Sequence, residues 1–246
     1  MIQNLTAKTV REIALEAPLT TKVFENYRID YCCGGHRTFL EACRTANADA
    51  GNVLKEINEC LESATPNELD WINEASLSTL IDYIVGKHHT YTRYEIENLT
   101  PLVAKVASRH GANHAELYAI EELFGDLCRE LAPHLLKEEQ MLFPYIKELE
   151  GFQSKTDAIP ASCFGTVLNP VSVMLREHDT AGEILRTLRE VSRDYLVPEG
   201  ACPSYTAMLA RLEAFEKDLH QHIHLENNIL FPKAIKLENE IFSLQR

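Results

Sequence analysis

Two stretches of this chain end alike. "HLLKEEQMLFP" covers residues 134–144 and "HIHLENNILFP" covers residues 222–232. Each opens on a histidine, places a glutamate four residues later and closes on Leu-Phe-Pro. The copies stand 88 residues apart, His134 to His222. Residues i and i+4 share one face of a helix. His134 with Glu138, and His222 with Glu226, therefore each turn an imidazole and a carboxylate toward the same neighbour. His88 and His178, 90 residues apart, each lie in the helical segment that precedes a copy. The pattern reads as two helical hairpins, each supplying one histidine and one His-x-x-x-Glu.

The rest of the chain agrees with an all-α fold. Strand-like alternation is scarce, and long segments follow the 3.6-residue period. One helix is expected from about Leu77 to His110, stopped by Gly111, with Pro101 inside it. A second runs from Asn113 to about Glu150, and Pro133 is expected to bend it locally. The stretch 151–169 reads as a connection. A third helix covers Pro170 to about Tyr195, "VPEGACPS" breaks it, and a fourth starts at Ser204. Four long helices with two tight turns and one longer link make a bundle. Before it lies a smaller helical unit. Thr9 with Glu12, and Thr38 with Glu41, are capping-box pairs. Short helices follow each pair and lie near 22–27 and 53–62, and the polar "SATPNEL" around Pro66 marks a linker.

Composition narrows the function classes. At 45% hydrophobic the 246 residues can bury a sizeable core, yet no run approaches the ~18 apolar residues of a membrane helix. The charged start lacks a secretory pattern, so the cytoplasm is expected. The net charge of −13 repels a phosphate backbone, so nucleic acid is not expected as a partner. Seven scattered cysteines form no disulfide framework in such a compartment. Cys43, Cys60 and Cys128 fall in helical patterns as small apolar residues.

The repeat also ranks the histidines. Counted back from Phe-Pro, His222 stands where His134 stands. His220 and His224 flank it by roughly 200° around the helix, and are expected to be solvated polar residues. Leu77, Ile81, Ile84 and His88 continue one stripe, which favours His88 over His89, about 100° away. Val171, Met174 and His178 share a face in the same way. His110 and His114 sit near a turn and read as structural or as supports behind the ligands. Glu177, beside His178, is placed to support the site or line a path to it. Buried histidines and glutamates can simply pair with one another, but six such groups in register favour a ligand set. Four imidazoles and two carboxylates suit two metal ions, with both glutamates able to bridge. Nitrogen and oxygen donors fit iron, manganese or zinc, and the residues alone leave that choice open.

A separate motif, "DYCCGG", occupies residues 30–35. Adjacent Cα atoms lie ~3.8 Å apart, short of the ~4.4–6.8 Å that disulfides prefer. Cys32 and Cys33 are thus better read as two thiols presented together. Gly34 and Gly35 permit a tight turn and close approach, and His36 is placed to lower a thiol pKa.

"DYCCGG" together with His88, His134-x-x-x-Glu138, the "EHD" around His178 and His222-x-x-x-Glu226 resembles the iron–sulfur cluster repair family (repair of iron centres, YtfE/ScdA type). The resemblance covers nearly the whole chain. It implies a small ScdA-like N-terminal domain over 1–66 and a haemerythrin-like four-helix bundle over 71–240. It implies two non-haem iron ions, oxo- or hydroxo-bridged, with His88, His134, His178 and His222 as terminal ligands and Glu138 and Glu226 bridging. The implied role is repair of iron–sulfur clusters damaged by nitric oxide or peroxide, through iron donation or nitric oxide handling. Iron–sulfur proteins would be the clients, and nitric oxide or oxygen the small ligands. Cys32 and Cys33 become candidate redox or transfer thiols. A nitric oxide-reducing activity and a homodimer are compatible with this reading. The rival is an oxygen- or nitric oxide-binding module with a redox-sensing cysteine unit.

Overall fold

The computed structural model describes residues 5–62, 70–152 and 162–244. The polar stretch 63–69 and residues 153–161 of the connection after Gly151 lie outside them. Among the described residues every regular element is helical.

The N-terminal unit contains α1 (Val10–Glu16), α2 (Thr20–Asn26), α3 (Phe39–Thr45) and α4 (Ala50–Glu62). Both expected capping boxes are formed. The Thr9 hydroxyl accepts from the Glu12 backbone N–H, and the Glu12 carboxylate accepts from the Thr9 N–H. Thr38 and Glu41 repeat the arrangement at α3. These caps satisfy amide groups that a seven-residue helix would otherwise leave bare. Val10, Ile13, Phe24, Phe39, Val53 and Ile57 pack as a core of this unit's own.

The bundle begins with α5 (Leu77–Tyr83), which passes through a π turn at Ile84–His89 into α6 (Thr90–His110). The second rod is α7 (Glu116–Lys137), a π turn at Glu138–Leu142, and α8 (Phe143–Gly151). The third is α9 (Leu168–Val191). The fourth is α10 (Pro203–Leu225), a π turn at Glu226–Leu230, and α11 (Phe231–Leu244). Helix α9 stops before the expected Tyr195. Arg193, Asp194 and Tyr195 all adopt positive φ, a conformation that L residues cannot continue as a right-handed helix. No helix among the described residues is long and apolar enough to cross a membrane.

The π turns at Glu138–Leu142 and Glu226–Leu230 are each followed by a proline two residues on. Pro144 and Pro232 lack an N–H, and their rings crowd the carbonyl four residues back. A wider turn relieves that crowding. The third π turn has no proline. There the Thr90 hydroxyl donates to the Val85 carbonyl at 3.1 Å, five residues back.

Apolar side chains divide the bundle into two layers. One gathers Leu99, Val103, Phe124, Leu127, Leu185, Leu212, Phe215 and Leu219. The other gathers Leu80, Ile84, Phe143, Ile146, Val171, Met174, Leu230 and Phe231. Every rod runs through both layers, and the histidines and glutamates of the repeat fall between them.

Candidate metal centre

Between the two apolar layers lie two groups of four buried side chains. His89, Glu138, His222 and Glu226 form one, and His134, Glu138, His178 and Glu226 form the other. Within each group the potential ligand atoms lie within 4.8 Å of one another. Glu138 and Glu226 belong to both groups and are 0% exposed.

One expected residue is corrected here. His88 is buried but outside both groups, and His89 stands in its place. The stripe Leu77, Ile81, Ile84 does continue on the core face, but the π turn begins at Ile84. Its i→i+5 bonding delays the next residue on that face by one position, from His88 to His89. His88 instead stacks on His222 with ring centres 5.7 Å apart and planes 8° from parallel. Its Nδ1 lies 3.0 Å from Asp218 Oδ1.

The inward atoms are all Nε2. His89 Nε2 is 3.1 Å from His222 Nε2, and His134 Nε2 is 3.1 Å from His178 Nε2. Glu138 Oε2 lies 3.4 Å from His89 Nε2 and 3.3 Å from His134 Nε2. Glu226 lies 3.0 Å from His222 through Oε1 and 3.3 Å from His178 through Oε2. Even so, both Glu138 oxygens and Glu226 Oε2 are buried without a hydrogen bond. Orphaned buried carboxylate oxygens are costly in a purely structural network. Cations shared by the two carboxylates would satisfy them. The donor set therefore fits a pair of metal ions, and it contains no thiolate.

Electrostatics among these side chains balance internally. Burial works against the charged form of His89, but the nearby carboxylates of Glu138 and Glu226 raise it to about 10. His134 is likewise raised to about 9 against burial, chiefly by Glu138. Burial lowers His222. Glu226 resists its burial and stays well below the usual carboxylate range, held ionised by His222, His178 and His89. Protons on His89 and His134 thus hold the place of cationic charge, and metal binding must release them.

With each Nε2 facing inward, each Nδ1 carries the hydrogen and needs an acceptor. His89 Nδ1 donates to Glu139 at 2.6 Å, and Glu139 also receives Arg93 at 2.8 Å. His134 Nδ1 donates to Glu177 at 2.8 Å, and Glu177 also pairs with Lys137. His178 Nδ1 donates to Asn227 Oδ1 at 2.7 Å. His222 Nδ1 is buried with no hydrogen-bond partner among the described residues. Glu177 thus supports the site. The spacing of Glu139 and Asn227, directly after the two glutamates, was the signal in the sequence for the others.

The flanking histidines are not the solvated pair expected. They lie outside both groups, and they meet the N-terminal unit. His220 Nδ1 is 2.8 Å from Glu25, which Tyr31 also contacts through its hydroxyl at 3.0 Å. His224 is 6% exposed, and burial lowers its pKa to about 4. Asn228 donates to the neutral His224 Nδ1 at 2.9 Å and to the Tyr31 carbonyl at 3.1 Å. Pro232 offers no N–H to the Asn228 carbonyl four residues back, and Arg11 donates to that oxygen at 2.9 Å. His110 pairs with Cys202 at 3.2 Å and His114 with Glu116 at 3.2 Å, both apart from the metal groups.

This contact seats the cysteine motif beside the bundle. Asp30, Cys32 and Cys33 form a third group of potential ligands. Asp30 Oδ1 accepts from the backbone N–H of Cys32 at 3.2 Å and of Cys33 at 2.9 Å. The glycines are needed for this closure. A Cβ on Gly34 would meet Asp30 at 2.9 Å, and one on Gly35 would meet the Tyr31 carbonyl at 2.7 Å. None of the seven cysteines is in a disulfide. The expectation that His36 lowers a thiol pKa is not met at Cys32. Its hydrogen bond with Cys33, its burial and Asp30 all push that thiol well above its ordinary value. Cys33 Sγ lies 3.6 Å from the His178 carbonyl. Both cysteines line a cleft of about 520 Å³, with Asp30, His36, Arg37 and Arg186 among its other walls.

Comparison with known proteins agrees with this geometry. Residues 80–234 match the hemerythrin HHE cation binding domain. Residues 6–61 match the ScdA_N domain, described as a domain of unknown function. The iron-sulfur cluster repair protein YtfE of Yersinia pseudotuberculosis (serotype IB, strain PB1/+) is 31% identical over 226 residues, covering 92% of this chain and 96% of that protein. YtfE of Yersinia pestis (strain Pestoides F) matches with the same identity and coverage.

Proposed function

We propose a function from the premise that this chain belongs to the hemerythrin HHE cation-binding family, in the branch that carries an ScdA_N unit and includes the YtfE iron-sulfur cluster repair proteins. It is a di-iron protein that restores iron–sulfur clusters damaged by nitrosative or oxidative stress. The observation that carries this reading is the pair of fully buried carboxylates, Glu138 and Glu226, shared by two histidine pairs and left with unpartnered oxygens. His89 and His222 would hold one iron and His134 and His178 the other, with Glu138 and Glu226 bridging. When bound, the irons would supply redox change and a place for nitric oxide or oxygen.

The protein's own contribution is to hold and shield. The two apolar layers keep water from the centre on both sides, and Glu139, Glu177 and Asn227 fix the tautomer and direction of three imidazoles. Asp30, Cys32 and Cys33 stand ready as a second, softer donor set, suited to accepting iron as cargo. At Cys32, whose thiol is held protonated by Cys33, burial and Asp30, a bound cation would take the place of the proton. A cytoplasmic setting goes with this reading, since thiols stay reduced there.

Metal analysis of protein produced with ample iron tests this. Two irons per chain, with the absorption of an oxo-bridged ferric pair, are expected. Less than one iron, with zinc in its place, would sink the proposal. Fully reversible oxygen binding with no effect on damaged cluster enzymes would favour a binding or sensing module instead.

A further inference from the structure

The two metal positions look alike in their ligands and differ in what stands behind them. At the His134/His178 position both imidazoles have an Nδ1 acceptor, Glu177 at 2.8 Å and Asn227 at 2.7 Å. Asn227 is itself tied to the N-terminal unit, since its Nδ2 donates to the Cys32 carbonyl at 3.4 Å. At the His89/His222 position only His89 has one, Glu139 at 2.6 Å. His222 Nδ1 is buried and unpartnered among the described residues.

The repeat explains the gap. Asn227 stands 88 residues after Glu139, and the two do the same work in opposite hairpins. The residue that would match Glu177 lies 89 residues before it, the same spacing as His89 to His178, and it is His88. His88 turns its ring flat against His222 rather than offering it an acceptor, and gives its own Nδ1 to Asp218. Acceptors behind a ligating histidine fix the ring and raise its basicity, and losing one costs roughly 10–100-fold in metal affinity.

We infer that the two positions hold metal unequally: the His134/His178 position is the retained one, and the His89/His222 position is the one that fills last and empties first. This rests on the di-iron reading above and deepens it, since it names which iron the protein can give away while keeping the other.

Anaerobic titration of the metal-free full-length chain with ferrous iron, against a coloured ferrous chelator, tests the order. Two steps separated by about tenfold or more are expected. Asn227→Ala, which leaves the retained position with one acceptor, should draw the steps together. Glu177→Ala should do the same through the other histidine. Glu139→Ala should weaken only the second step and widen the gap. All three side chains are partly exposed, so the variants should fold. The three responses also separate this asymmetry from simple repulsion between two ions, which no single acceptor would move in opposite directions. One common affinity in the unaltered chain, or Glu139→Ala weakening the first step, would overturn the inference and leave the di-iron proposal standing. Failure to bind iron at all would overturn both.

Discussion

The two hairpins present the same inward face and opposite outward ones. Inward, His134 and Glu138 are matched by His222 and Glu226, and each glutamate opens a π turn closed by a proline. Outward, Ala132, Leu136 and Gln140 of the first hairpin are exposed. The positions 88 residues later are His220, His224 and Asn228, which carry the N-terminal unit. The inner face is held constant because two shared carboxylates need both halves. The outer face is free to diverge, and only one copy has become a seat.

Substitutions can break the likeness or sharpen the difference. The largest effect is expected on the shared inner face. Glu226→Ala removes a carboxylate common to both groups, so elemental analysis should find both metals lost. His89→Ala should cost about one metal per chain. A His88→Ala variant should keep both metals by the same assay, while losing about 1–3 kcal/mol in chemical denaturation because Asp218 is left without its partner. The opposite pattern for these two histidines would reverse the register set by the π turn. On the outer face, His224→Leu with Asn228→Gln writes the first hairpin's residues into the second. Hydrogen exchange should then show residues 5–62 opening more readily, by about 1–3 kcal/mol, with the metal count unchanged. The smallest effect belongs to Leu136→Ala, an exposed site in the unseated hairpin. Thermal unfolding should move by no more than about 0.5 kcal/mol.

The fold was legible because helical periodicity, capping boxes and an 88-residue echo all act locally. His134, Glu138, His178, His222 and Glu226 were legible as a group for the same reason, since i, i+4 spacing and the repeat fix their common face. The choice between His88 and His89 was not. A π turn changes the phase of a helix by one residue, and the turn at Ile84–His89 has no proline to announce it. Corrected for that phase, the spacing His89 to His178 is 89 residues, nearer to the 88 of the other pair. His220 and His224 were misread for a different reason. The partial burial of His220 and the full burial of His224 come from contacts with Glu25 and Tyr31, almost two hundred residues away, and no local pattern reports them. The raised pKa of the Cys32 thiol depends likewise on its hydrogen bond with Cys33, its burial and the turn of the loop around Asp30, which no local pattern reports.

The seat on the second hairpin also sets an order of events during synthesis. Domains tend to fold as units as the chain emerges, the N-terminal one first. Residues 5–62 have a core of their own and can form it early. Yet Arg11 waits for the Asn228 carbonyl, 217 residues downstream, and Tyr31 for Asn228 and His224. The two metal groups are incomplete until the same helix arrives with His222 and Glu226. A single late segment therefore closes the metal centre and brings the thiols to it together. A ribosome that stops before this helix leaves neither a finished metal centre nor a docked cysteine pair.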